Sequence, residues 1–399
     1  MYHIYTTYLD ILKNAFEGNT ASTDVPQEYL PELAKLAEKQ FSAPFVFPYM
    51  QEGTAFQILK QHTKTMLYHY YQIEHFTSLT AALLEKNNIP YFLMKGISLA
   101  AYYPMPEYRK EGDVDIYINE PEAFDRARQI LEKNGYLPDS EVSSHHLTYT
   151  YMFPKTGRKY ILELHFRIVG TYQYRPANQV IDTVYGREHL STCFQIINGK
   201  TYRVLPPTEY TFYMIHHMLR HYLYSGFGIQ LLSDFTLYVK KNEAEIDFEK
   251  IHRWCFESRI SHLYEIILES CRLWLGLPFH IDADTHCDPK DCEMFMEKIL
   301  SGGAMGTNEG RALVNSTSYQ HINLLTYFKE GHHQMKVRFP KLGRCPILWP
   351  ILWGITFVCF LYNTYHFRNT TFRQTLSDFK ESNQSTKFIQ IFDNSKDQK

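Results

Sequence analysis

The chain has 399 residues, 44% apolar and 21% charged. That length and balance argue against wholesale disorder and allow two or three folded domains. The formal net charge is −2, so there is no global basic field for duplex DNA. The cysteines, at 193, 255, 271, 287, 292, 345 and 359, are odd in number and scattered, unlike a disulfide-stapled secreted scaffold. No basic run or uninterrupted apolar run opens the chain before Asp10. No signal peptide is therefore expected, and the expected compartment is the reducing cytoplasm.

In chain order, residues 1–88 read as helical. Tyr5, Tyr8, Leu9, Leu12 and Phe16 recur at helical spacing, as do Tyr29, Leu30, Leu33, Leu36 and Ala37. A longer helix is predicted from Phe56 to about Lys86, stopped at Asn87-Asn88. The period then changes. Tyr91–Met94 is a short apolar run read as a buried strand, Ile97–Tyr103 as a short helix, and Asp113–Ile118 as a second strand. Pro121 sits near the start of another helix, and Gly135 follows its end. Tyr149–Phe153 and Tyr160–Ile168 are predicted to pair as a hairpin around Pro154–Gly157. From Thr208 the pattern is helical again, with helices at Tyr210–Tyr224 and Leu231–Lys241, a break at Ser225–Gly228, and further helix between Phe248 and Leu275. Residues 300–310 read as a loop or linker, and the last twenty or so as a polar tail.

The sharpest local feature is Asp113-Val114-Asp115. On a strand, residues i and i+2 share a face, so both carboxylates point one way and Val114 and Ile116 point into the core. Adjacent carboxylates repel unless a cation lies between them, which makes a divalent-metal site one reading and a solvated strand end the other. In Ile161–Ile168, Leu162, Leu164, Phe166 and Ile168 form one face, and Glu163, His165 and Arg167 share the other. Glu163 on a neighbouring strand would complete a three-carboxylate cluster; the alternative is an edge strand with a polar outer face. Lys95-Gly96-Ile97-Ser98 lies between a strand and a helix. It reads either as a phosphate turn, with Gly96 allowing close approach and Lys95 adding charge, or as a plain turn. Arg109 is either a phosphate ligand or a surface residue.

Lys95-Gly96, Tyr103-Pro104, Arg109, Asp113-Val114-Asp115 and Glu163-Leu164-His165-Phe166 follow one another in the order strand, Gly turn, helix, Asp-x-Asp strand, helix, carboxylate strand. This resembles the nucleotidyltransferase superfamily of DNA polymerase beta, and in detail the group called uncharacterised nucleotidyltransferases. His216, Gly226, Gly228 and Asp234 add a similar stretch in the helical region. One departure is that the wider superfamily places Gly-Ser at the phosphate turn, where this chain has Lys95-Gly96 with Ser98 two residues on.

The resemblance implies an α+β fold, with a polymerase-beta-like α/β core between N-terminal helices and a C-terminal helical domain. The segments would be 1–88, an N-terminal helical segment; 89–205, the nucleotidyltransferase core; 206–299, the helical domain; and 300–399, a linker, apolar helix and polar tail. It implies transfer of a nucleotidyl group from a nucleoside triphosphate such as ATP, with pyrophosphate leaving, through two Mg²⁺ ions or Mn²⁺. Asp113, Asp115 and Glu163 would hold the metal and carry catalysis. Lys95, Gly96, Ser98 and Arg109 would cradle the triphosphate, with His165 and Asp234 as further contacts; the alternatives are a structural histidine at 165 and an Asp234 that caps or pairs locally. The acceptor is open among small molecules, peptides, protein side chains and RNA, and duplex nucleic acid is not expected. The reading from a different class is a non-catalytic nucleotide-binding or membrane-associated scaffold on the same fold.

His217 and His221, at i and i+4, are spaced to share a metal ion, but no cysteine pair has finger spacing, and Cys287 and Cys292 stand apart from any second pair. Zinc is therefore not expected. From Cys345 to Phe367 there is no Asp, Glu, Lys or Arg. This stretch approaches the ~20 residues that span a bilayer. Pro346, Pro350, Gly354 and Asn363 argue instead for packing on the body or peripheral membrane contact.

Overall fold

The computed structural model describes residues 3–19, 24–139, 143–154, 156–172, 174–186, 190–224, 226–303 and 324–366. The linker expected at 300–310 lies outside them from residue 304, and the polar tail lies outside them from residue 367.

The chain opens with helices α1 (His3–Phe16), α2 (Leu30–Lys39), α3 (Ala43–Val46) and the long α4 (Thr54–Lys86). The α/β part follows: β1 (Phe92–Met94), α5 (Ile97–Ala100), β2 (Val114–Tyr117), α6 (Pro121–Lys133), β3 (Tyr136–Pro138), β4 (His146–Met152), β5 (Lys159–His165), α7 (Arg175–Val184), β6 (Cys193–Ile197) and β7 (Lys200–Val204). Helices α8 (Pro207–Tyr224), α9 (Ile229–Asn242), α10 (Phe248–Glu257), α11 (Ser261–Leu275) and α12 (Pro289–Gly302) come next, then α13 (Leu324–Arg338) and α14 (Trp349–His366).

The strands form one mixed sheet in the order β3-β4-β5-β2-β1-β7-β6. β2 runs parallel to β5, and β1 parallel to β7; the other neighbours are antiparallel. β5 is therefore a central strand rather than the edge strand that was its alternative reading. The expected second strand is shorter than its apolar pattern, so Asp113 precedes β2. The expected carboxylate strand stops at His165. Phe166 is turned outward, and Arg167 leaves the strand face to bond Asp182 and the carbonyls of Val169 and Gly170.

The two-residue period of the strands sorts their side chains onto two faces. Leu93, Val114, Ile116, Leu162 and Leu164 point to one face, where Tyr70, Ile73, Phe76 and Leu84 of α4 and Ala123, Ala127 and Leu131 of α6 close a core. Phe92, Met94 and Tyr117 point to the other, into a second core with α1, α2, α8, α9 and α11. Asp115 pairs with Met94 and shares that second face with Tyr117.

Candidate active site

Parallel pairing of β2 and β5 places Asp115 opposite Glu163 and Tyr117 opposite His165. The three polar side chains therefore rise from one face of two adjacent strands, under helix α8. His165 Nε2 lies 3.0 Å from Asp115 Oδ1 and 3.4 Å from Glu163 Oε2. One donor atom from each of Asp115, Glu163 and His165 falls within 4.8 Å of the others. They line a cleft of about 760 Å³ with Lys95, Asp113, Tyr213, His217 and His221.

After β1 the backbone turns sharply, with φ of +51° at Lys95 and +54° at Gly96. Gly96 combines that φ with ψ −133°, a region open essentially to glycine alone. A Cβ added there would stand 3.3 Å from Glu111 Oε2. The Lys95 backbone N–H donates to Tyr210 Oη at 2.8 Å, and Ser98 Oγ donates to the Lys95 carbonyl at 2.7 Å. The turn thus aims Lys95 Nζ at Asp115 Oδ1, 3.0 Å away. Ser98 itself is buried and serves the turn; the structure does not bring it to the cleft wall.

Asp115 is already balanced by two groups. Burial works against the charge of Lys95, yet Asp115 holds its pKa well above the ordinary lysine value. Burial likewise opposes charge on His165, but hydrogen bonds to Asp115 and Glu163 raise its pKa. Burial pushes the Glu163 carboxyl up, and the bond from His165 with the charge of Lys95 brings it below its usual value. Asp113 lies at the rim, outside the close group but near enough for Lys95 and Glu163 to feel its charge. The pair of repelling carboxylates expected from Asp-x-Asp is therefore a buried, neutralised Asp115 beside a half-buried Asp113.

Arg109 and Asp234 are brought together with each other rather than with open space. Arg109 Nε and Nη2 donate to Asp234 Oδ1 and Oδ2, both at 2.8 Å, and Nη1 donates to Glu111 Oε1 at 2.9 Å. Tyr103 Oη donates to Asp234 at 2.8 Å. Burial opposes the guanidinium charge, but Asp234 and Glu111 keep it firmly protonated. This bidentate pair joins the loop before β2 to α9. It makes Arg109 a strut at the cleft wall and Asp234 its anchor.

Sequence reasoning missed two groups here. Glu111 is buried beside Gly96, burial raises its pKa against the pull of Arg109, and its Oε2 has no hydrogen-bond partner among the described residues. Its only signal in the chain was its place two residues before Asp113. The other is a convergence of four imidazoles, of which only His217 and His221 stood out in the sequence as a metal-spaced pair. His146 Nε2 is 3.6 Å from Glu163 Oε1, His217 Nε2 is 3.5 Å from Lys95 Nζ, and His221 is 3.0 Å from His217. Burial holds His145, His146 and His217 below the usual histidine value, and burial with the charge of Lys95 pushes His221 to about 4. These rings are neutral at physiological pH. Pairing of β4 with β5, which sets His146 opposite His165, brings His145 and His146 to the site, and α8 brings His217 and His221.

The donor set suits a divalent cation. Two carboxylates and one imidazole converge, with His165 Nε2 facing both carboxylates, so a cation there would take the place of the proton held between them. The imidazole departs from an all-oxygen set and favours Mn²⁺ relative to Mg²⁺.

Residues 50–276 match the family described as uncharacterised nucleotidyltransferase. A solved structure, that of an antigenic nucleotidyltransferase-like protein from Paracoccidioides brasiliensis, is similar at 17% identity with a TM-score of 0.34, over 52% of this chain and 96% of that one. No curated protein matches the chain.

Proposed function

The chain belongs to the uncharacterised nucleotidyltransferase family, and from that premise we propose that it moves an NMP group from a nucleoside triphosphate to an acceptor, using a divalent cation at Asp115, Glu163 and His165. The observation that carries this reading is the convergence of those three side chains, with Lys95, on one face of two parallel strands inside a cleft. A bound metal would supply charge stabilisation for the triphosphate and its leaving group. Asp113, at the rim, is left to take the second ion of a two-ion arrangement. Lys95 Nζ, 3.0 Å from Asp115, would meet phosphate oxygens entering the cleft. Glu163, ionised and next to neutral His146, is placed to receive the acceptor's proton. Arg109 works through Asp234 and Glu111 to fix the wall rather than as a free phosphate ligand.

The test is transfer of label from α-labelled nucleoside triphosphates, with Mg²⁺ or Mn²⁺, combined with thermal unfolding. Ligand at a hundred times its Kd adds about 2.7 kcal/mol to stability. A shift needing both metal and triphosphate, absent in Glu163→Gln, supports the site. No shift with any triphosphate in either metal would sink the reading.

The same chain carries a surface that suits a membrane. Among the described residues no helix is long and apolar enough to cross one. Yet α14 leaves Ile351, Phe357 and Val358 exposed, and Ile347 before it is 85% exposed. A helix apolar all round needs a cover. Lys336, Arg338, Lys341 and Arg344 border it and are exposed, and each basic residue near an anionic bilayer contributes about 1 kcal/mol. We infer that α13 and α14 lie on an anionic lipid surface, without spanning it. The full chain should float with vesicles containing phosphatidylglycerol and not with neutral ones, and Ile351→Asp with Phe357→Asp should abolish this. Concentration-dependent self-association with no vesicle binding would instead make the cover a second copy.

A further inference from the structure

A second convergence of metal-binding side chains lies outside the cleft. His262 sits in the first turn of α11, Cys287 in the loop after it, and Asp291 and Cys292 in the first turn of α12. Donor atoms of His262, Cys287 and Asp291 fall within 4.8 Å of one another. Cys292 is fully buried, and its thiol is within hydrogen-bonding reach of Cys287. Spacing in the chain hides this set, because the imidazole comes from 25 residues before Cys287 and replaces the second cysteine pair of a finger.

We propose that His262, Cys287, Asp291 and Cys292 form a closed structural zinc site. Two sulfurs, one imidazole nitrogen and one carboxylate oxygen make a four-ligand set of the kind Zn²⁺ takes tetrahedrally. Tetrahedral ligands around zinc lie about 3.5 Å apart, so His262, Cys287 and Asp291, already within 4.8 Å of one another, need shift by only about an ångström to share an ion, and Cys292, beside Cys287, would supply the fourth ligand. His262 Nδ1 is 3.3 Å from Glu265 Oε2. That carboxylate orients the ring, as outer partners of zinc-bound histidines do, and makes Nε2 the ligand nitrogen. With all four positions filled by protein, the metal holds structure and does no chemistry.

The site would clamp α11 to α12 across the connecting loop, with a consequence for the cleft. Phe295 of α12 packs edge-on against Phe227, at 6.2 Å between ring centroids, and Phe227 lines the cleft. Zinc would thus fix the helix that backs one wall of the cleft. This inference does not depend on the nucleotidyl-transfer reading.

The experiment is metal analysis of the purified full chain, followed by exchange of zinc for Co²⁺. The expected result is one zinc per chain and, with cobalt, a thiolate charge-transfer band in the near ultraviolet. Among the described residues the cleft lining contains no cysteine, so that band cannot arise from a metal at Asp115. Cys287→Ser with Cys292→Ser should lose the band, while Asp115→Asn should keep it. Chelation should lower the melting temperature of the wild type and leave the double variant unchanged. If the double variant does not fold, the cobalt band of the wild type still decides. Absence of zinc and of the band overturns the proposal, as does a mass two hydrogens lighter with both thiols blocked, which would make the pair a disulfide.

Discussion

Asp115 shows how a residue's role depends on partners that its own neighbourhood in the chain does not contain. Its neighbour Asp113 suggests repulsion, and relief of that repulsion would make Asp115→Asn stabilising. The structure reverses the sign. Lys95 Nζ and His165 Nε2 each lie 3.0 Å from Asp115 Oδ1, and Asp115 is almost wholly buried. Removing one member of a buried pair leaves the other uncompensated and costs about 3–5 kcal/mol. Asp115→Asn is therefore expected to lower stability by that order in urea unfolding as well as abolish transfer. Asp113→Asn, half-buried and outside the close group, should stay within about 0.5 kcal/mol of wild type. Equal stability of the two variants would mean that Lys95 finds another partner. The carboxylates were legible as a cluster because period two puts Asp115 and Glu163 on like faces of their strands. Their neutralisation was not, since Lys95 is aimed by a left-handed turn whose hydrogen bonds come from Tyr210 and Ser98.

Among the elements, the loop between α11 and α12 has the clearest pH signature. Arg272, buried on α11, donates to the carbonyls of Ile281, Asp282 and Thr285, each at 2.6 Å. Asp282 accepts from His252 Nε2 at 2.8 Å and from Tyr264 Oη at 2.5 Å. The bond to Asp282 raises the pKa of His252 above 6.5. A raised pKa contributes stability that is complete below the unfolded value and lost as pH rises through the folded one. For Asp282, burial pushes up, but the bonds from His252, Tyr264 and Thr285 bring the pKa below 3.8. Its contribution is present above the unfolded value and lost as pH falls through the folded one. Amides at 281–286 should thus be best protected from hydrogen exchange between these ranges, and should lose protection above pH 6.5. In His252→Asn the alkaline loss should vanish; an unchanged profile would remove the pair from the account. Elements of this kind were legible only as helices, because the loop is held by a buried arginine rather than by a local turn signal. One local signal was present and missed. Asn198-Gly199, with φ of +48° and +78°, turns β6 into β7, and Asn-Gly between alternating residues is a strong hairpin cue. Phe194 and Ile196 disguised it, since both face outward on an edge strand, 63% and 74% exposed.

At the scale of the molecule, the sheet has a different partner on each face, and a few buried polar links hold the helical side to the α/β side. Arg109 reaches from the loop before β2 to Asp234 on α9, where Tyr103 also bonds. Within the helical side, Gln40, after α2, donates to the carbonyls of Ile299 and Leu300 and accepts from the N–H of Ile229, tying the N-terminal helices to α9 and α12. The apolar periodicities behind both cores were legible in the chain, but these links were not, because each joins residues more than a hundred positions apart. The bonds of Arg109 and Tyr103 to Asp234 are expected to make the two sides unfold as one. Asp234→Ala leaves a guanidinium buried with only Glu111 to balance it, a loss of about 3–5 kcal/mol placed at the seam between them. The expected result is more than a lower melting temperature. The wild type should unfold in one transition, with near-ultraviolet and far-ultraviolet dichroism coincident. Asp234→Ala should separate the helical side from the sheet, so that the two probes part and a second transition emerges. Asp234→Asn, which keeps the shape and one acceptor oxygen, should fall between. Coincident curves in all three proteins would show that the apolar contact of the second core couples the halves without Arg109, and the strut would then matter to the cleft alone.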